Sequence, residues 1–235
     1  SMLSHEQMQQ VAQGGRTQHA VYVYEAPVRL WHWITVLAMT VLMATGYFIG
    51  TPFLMLPGDD AGMYLMGYVR FAHFAAGYVL AIGFAGRIYW ALVGNEHARQ
   101  IFMPPLFKLA WWSEVMFELR WYFFLEDRPK KYVGHNPLAA VMMFFLFVLG
   151  TLFMIITGFA LYSEGAGHGH WSGVMFGWVL WLIGDSQTVH SLHRLGLWLL
   201  LSFIVVHVYA ALREDIMSRQ SIISTMISGW RSFRD

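Results

Sequence analysis

Four stretches of this chain stay apolar for about the 20 residues that a helix needs to cross the hydrocarbon core of a bilayer. They are Trp31–Gly50, Phe71–Gly94, Pro137–Tyr162 and the run 190–212, whose most apolar part is Leu195–Leu212. No charge occurs between Arg29 and Asp59, and only Arg87 interrupts the second run. Pro137 suits the first turn of a helix. Of 235 residues, 12% are charged and 57% hydrophobic, whereas a soluble domain carries about 25% charged residues. So few charges cannot cover a globule of this size, so most of its surface faces lipid. The expected fold is an all-α membrane protein, a single four-transmembrane-helix bundle over residues 21–235 with interfacial amphipathic segments.

Residues 1–20 are polar and lack an apolar core, so they read as a flexible tail rather than a cleavable signal. Ile101–Leu125 mixes many aromatics with Pro104, Pro105, Lys108, Glu114, Glu118 and Arg120, which suits an amphipathic segment on the membrane surface. Trp171–Gly184 has the length of an interfacial or re-entrant piece. Lys and Arg set the orientation. Arg99, Lys108, Arg120, Arg128, Lys130 and Lys131 lie in the second connection, Arg213, Arg219, Arg231 and Arg234 in the C-terminal tail, and Arg16 and Arg29 in the N-terminal arm. Segments 51–69 and 163–189 hold none. Both termini are therefore expected in the cytoplasm. The formal charge of +1 gives no basic field for nucleic acid.

Histidine inside a membrane span is costly and marks function. His32 opens the first run, His73 lies early in the second, and His193 and His207 bracket the fourth. With helices alternating in direction, His73 and His193 share the outer depth and His32 and His207 the inner one. His193 and His207 are separated by about 21 Å of helical rise and lie within about 40° of one face, whereas His190 stands about 100° away from that face. Two pairs at two depths, each drawn from two helices, suit two bis-histidine haems stacked across a bilayer. The absence of cysteine excludes thiolate, iron–sulfur and covalent haem attachment, leaving haem b. For a lone histidine such as His32, between Trp31 and Trp33, an interfacial hydrogen-bonding role competes with this reading. His135, at the start of the third run, can replace His32 or contact a propionate. His168 and His170 suit either a weak metal site or a solvated loop, and His97 lies in a connection.

Arg70 and Arg194 stand close in sequence to the outer pair, where each suits either a haem propionate or the headgroups by snorkelling. Arg87 reads as a snorkelling cation. Gly46, Gly77, Gly83, Gly86, Gly158 and Gly196 leave room for a porphyrin, or for ordinary helix contacts. ATGYFIG at 44–50 and ITGFALY at 156–162 hint at a repeat of helix pairs.

The segments YVYEAPVRLWHW (22–33), MGYVRFAHF (66–74), GHNPLA (134–139), FMIITGFALYSEG (153–165), VHSLHRLGLW (189–198) and HVYAALREDIMSRQSIISTMISGW (207–230) carry a further signal. From about residue 20 to the C-terminus the chain resembles the b-type cytochrome subunit of membrane-bound uptake NiFe hydrogenases, a di-haem cytochrome b family. The resemblance implies a membrane anchor in the bacterial inner (cytoplasmic) membrane. It implies iron ligation by His32, His73, His193 and His207, and electron transfer from the iron–sulfur small subunit, behind which stands the large subunit, through two haem b to a quinone. Near the inner pair, Glu25, Arg29, Tyr209, Arg213, Glu214 and Asp215 are candidates for the quinone region or for simple caps. Another periplasmic dehydrogenase such as formate dehydrogenase is an alternative donor. A histidine-based metal-ion transporter is the reading from another class, although none of the four runs contains the Asp or Glu that a divalent-cation path normally uses.

Overall fold

The computed structural model of the chain describes residues 19–52, 58, 60–132, 135–218 and 220–233. Residues 1–18 of the expected tail lie outside these, while His19 and Ala20 are paired in a strand. In chain order the elements are strand β1 (His19–Tyr22), α1 (Ala26–Gly50), α2 (Asp60–Val93), α3 (Glu96–Arg99), α4 (Leu109–Tyr122), α5 (Pro137–Gly165), α6 (Trp171–Ile183), α7 (Ser186–Met217), α8 (Ile222–Ser228) and β2 (Trp230–Phe233). Among the described residues α1, α2, α5 and α7 are long and apolar enough to cross a membrane. Between 17% and 33% of the most apolar window of each is buried inside the protein, so most of their apolar side chains point outward, as lipid contact requires. Strands β1 and β2 pair antiparallel, His19 opposite Phe233 and Tyr22 opposite Trp230, and close one end of the bundle.

Local chemistry sets the helix ends. Pro27 sits in the first turn of α1. The Asn136 side chain accepts from the Ala139 amide at 2.7 Å and caps α5, with Pro137 next. Asp185 caps α7, accepting from the Thr188 amide and hydroxyl, both at 2.7 Å. Gly184 (φ +97°) ends α6 in the left-handed region, which costs glycine nothing. Helix α2 begins well before the apolar run at Phe71, with acidic Asp60 in its first turn, where the helix dipole favours negative charge. Arg70 thus lies within α2, exposed, and not at a helix end. Residues Met143–Val148 of α5 form a π-helical segment. It carries Phe147 into the central core, between Trp31 (ring centroids 5.8 Å) and Phe203 (5.7 Å). Met39, Leu80, Phe84, Met143, Phe147 and Leu200 belong to that core.

The strand end is held by polar ties. Glu25 Oε1 accepts from the Asn95 amide at 2.6 Å, Asn95 Nδ2 donates to the Val23 carbonyl, and Arg29 Nη1 donates to the Ile227 carbonyl at 2.6 Å. Helix α4 exposes Leu109, Trp112, Met116 and Leu119 but turns Glu118 inward, where it is 1% exposed. Desolvation, then the neighbouring carboxylates Glu214 and Glu114, push its pKa up from 4.5 to about 7. The folded chain therefore holds this proton more tightly than the unfolded chain does. The associated stability is complete below about pH 4.5 and is lost as pH rises towards 7. Glu118→Gln is expected to melt with the wild type at pH 4 and above it at pH 8; parallel melting curves at all pH values would contradict this.

Candidate functional site

The structure brings His73 and His193 together as a pair and sets His32 within electrostatic reach of His207. His73 of α2 and His193 of α7 face each other at the end away from the strands, with ring centroids 6.5 Å apart and planes at 78°. His32 of α1 and His207 of α7 lie within electrostatic reach of each other nearer the strand end. The His32 Nδ1 is buried without a hydrogen-bond partner among the described residues. The ring of Phe203 stacks on His207 at 5.6 Å, so aromatic rings run from His207 through Phe203 and Phe147 to Trp31, the neighbour of His32.

Two threonines hold the first pair. Thr45 Oγ1 lies 2.9 Å from His73 Nδ1, and Thr157 Oγ1 lies 2.8 Å from His193 Nδ1. Each threonine is followed by a glycine against the same ring. A Cβ on Gly46 would stand 3.2 Å from His73 Cε1, and one on Gly158 3.2 Å from His193 Cε1. The short likeness between 44–50 and 156–162 is thus the Thr-Gly pair on which each ring rests. Sequence reasoning noted the repeat but did not assign these threonines.

Arg87 is not a snorkelling cation. It is 3% exposed, lies over the rings of Trp31 (5.4 Å) and Phe102 (4.9 Å), and has no hydrogen-bond partner at Nε or Nη1 among the described residues. It follows His73 on α2 by the spacing that separates His193 from His207 on α7, about 21 Å along the axis. That spacing places a buried cation at the depth of the second pair. A guanidinium removed from water calls for an anion.

The other expected site residues are tied into the protein. Arg194 donates from Nη1 to the Gly50 carbonyl (3.3 Å) and from Nη2 to Thr51 Oγ1 (3.2 Å), joining α7 to the end of α1. Arg213 is buried beneath Trp121, Tyr122 and Phe124 and donates to the Trp121 carbonyl. Glu214 accepts from the Tyr122 hydroxyl at 3.1 Å, and Asp215 from the Ile223 amide. Glu25 and Arg29 hold the strand end, and Tyr209 is 57% exposed. His135 Nδ1 lies 3.0 Å from the Tyr24 hydroxyl. Desolvation and then Arg231 push the His135 pKa down to about 3, and desolvation raises that of buried Tyr24 to about 12. His135 lies within electrostatic reach of His207, Arg87 and His32. His170 caps α6 by accepting from the Ser172 amide, and His168 is exposed.

The arrangement fits an iron porphyrin. The 6.5 Å between the His73 and His193 ring centroids leaves room between the rings, and the two imidazoles would hold a haem iron there. The orphaned Arg87 nitrogens match a group with carboxylates. Among the described residues no three His, Cys, Asp or Glu gather in a group that could hold a metal ion.

The family described as prokaryotic cytochrome b561 matches residues 23–229. A probable Ni/Fe-hydrogenase B-type cytochrome subunit of Azotobacter chroococcum is 62% identical over 220 residues, covering 94% of this chain and 92% of that protein. The protein of the same name in Cupriavidus necator is 58% identical over 221 residues, 94% of this chain and 91% of its own. The probable Ni/Fe-hydrogenase 1 B-type cytochrome subunit of Escherichia coli K12 is 49% identical over 215 residues, 91% of each chain. The match runs from just after the first strand to the end of α8, and the chain belongs to the prokaryotic cytochrome b561 family of helical, haem-binding membrane proteins.

Proposed function

We propose that this chain is the membrane cytochrome subunit of a NiFe hydrogenase, carrying electrons from the enzyme's iron–sulfur small subunit to a membrane quinone. The observation that carries the reading is the pair of histidine sites spaced along α7. His73 and His193 hold one haem b, and His32 and His207 hold the other. Bound there, each haem supplies a one-electron carrier. The chain's own part is to fix the two sites at different depths, to exclude water between them with the Phe147–Phe203 core, and to compensate charge. Arg87 provides the anion partner at the inner site, and Tyr209, two residues from His207 and open to lipid, belongs to the quinone region. Both termini face the cytoplasm of a bacterial inner membrane, and segments 51–69 and 163–189 face the hydrogenase. The names of the relatives support the hydrogenase over formate dehydrogenase as the donor.

Two outcomes are expected. In membranes containing the hydrogenase, H2 reduces haem b and added quinone reoxidises it. His193→Ala and His207→Ala each abolish the quinone-dependent step. Haem that stays oxidised under H2, while formate reduces it, would transfer the chain to the alternative donor. In the second experiment Arg87→Leu lowers the midpoint potential of one haem or reduces haem content to one per chain, whereas Arg87→Lys keeps two. Two haems with unchanged potentials in Arg87→Leu would remove Arg87 from the site.

A further inference from the structure

We infer that Thr45 and Thr157 are positioning residues that fix the tautomer of His73 and His193, and thereby set the affinity of the outer haem for its electron. This inference rests on the haem reading given above. It follows from counting protons. Thr45 Oγ1 stands 2.6 Å from the Val41 carbonyl oxygen, and Thr157 Oγ1 stands 2.8 Å from the Phe153 carbonyl oxygen. A carbonyl has no proton to give, so each hydroxyl proton is spent on the preceding turn of its own helix. What each threonine has left is an acceptor lone pair, and it points at a histidine Nδ1 at 2.9 and 2.8 Å. Each Nδ1 must therefore be the protonated nitrogen. The Nε2 lone pair of each ring is then free for a metal, which is the form an imidazole ligand needs.

The two contacts are built alike. Each threonine bonds back into its own helix, and each following glycine brings the same ring edge to the same distance. One anchor lies on α1 and the other on α5, so the two helices that carry no ligand of the outer pair hold the two ligands of that pair. The inner pair lacks this device at His32, whose Nδ1 has no partner among the described residues. A hydrogen bond from Nδ1–H makes the imidazole a more basic ligand. A more basic ligand favours the oxidised iron, so the threonines hold the outer potential below the value it would otherwise have.

The test is a redox titration of the full chain in detergent, with haem counted per polypeptide. Thr45→Val and Thr157→Val keep the side-chain shape and remove the acceptor, while Thr45→Ser and Thr157→Ser keep the acceptor. The valine variants are expected to retain two haems and to raise one midpoint potential. The double valine variant should shift its reduction equilibrium about tenfold, which is 59 mV for one electron. The serine variants should titrate like the wild type. Two haems with both potentials unchanged in the double valine variant would overturn the inference. If a valine variant loses one haem, the serine variant decides: two haems at wild-type potentials support the hydroxyl, and loss of haem there as well overturns it. A wild-type chain without two haems would instead sink the haem reading itself, so the two failures are distinct.

Discussion

An ionisable or strongly polar side chain inside an apolar bundle must find a partner or it works against folding, and the interior of this protein is organised around that requirement. Imidazole, guanidinium, hydroxyl and carboxyl groups are all drawn inward. At one end of the bundle they are satisfied by threonines, and at the other by tyrosine, asparagine and backbone carbonyls. Groups left without a partner among the described residues include Arg87 and His32 Nδ1, and also Arg29 Nε, Arg213 Nε and Nη1 and the Glu118 carboxylate. In the proposed reading, a haem and its carboxylates would partner the first two.

The helices answer this need with one spacing. On α7 it separates His193 from His207, and on α2 it separates His73 from Arg87. Four turns of helix thus carry each functional group from one depth to the other on about the same face. Between the two depths lies a dry aromatic and aliphatic core, in which the π-helical segment of α5 places Phe147 against Phe203 and Trp31. The strand end differs in character. Its small sheet, the Glu25–Asn95 and Arg29–Ile227 ties, and the buried Glu118 form a polar cap that joins β1 and β2 to the bundle.

The sequence made some of this legible and concealed the rest for physical reasons. Apolar length alone located all four long helices, because a bilayer imposes its thickness on the chain. It placed their ends less well. Helix α2 starts at Asp60, in a segment whose composition is not apolar enough to announce a span, and this moves Arg70 into the helix. The histidines were visible by type and spacing. Thr45 and Thr157 were not, since threonine inside a helix normally bonds to its own backbone and nothing in its identity announces a second partner. Their signal was the repeated Thr-Gly pair. Glu118 and Arg87 were read as surface charges because burial of a charge is set by tertiary packing, here of α4 and Phe102, which no local pattern records. Arg29 and Arg213 looked available for a ligand, and each donates to a backbone carbonyl, while Arg29 Nε and Arg213 Nε and Nη1 have no partner among the described residues.

The central claim is that two histidine pairs hold two haems, and haem stoichiometry tests it most directly. The account predicts two haem b per wild-type polypeptide. It predicts one in His73→Ala and one in His207→Ala, the two variants retaining spectroscopically different haems. It predicts none in the double variant. A wild-type chain with one haem, or two single variants that lose the same haem, would contradict the account.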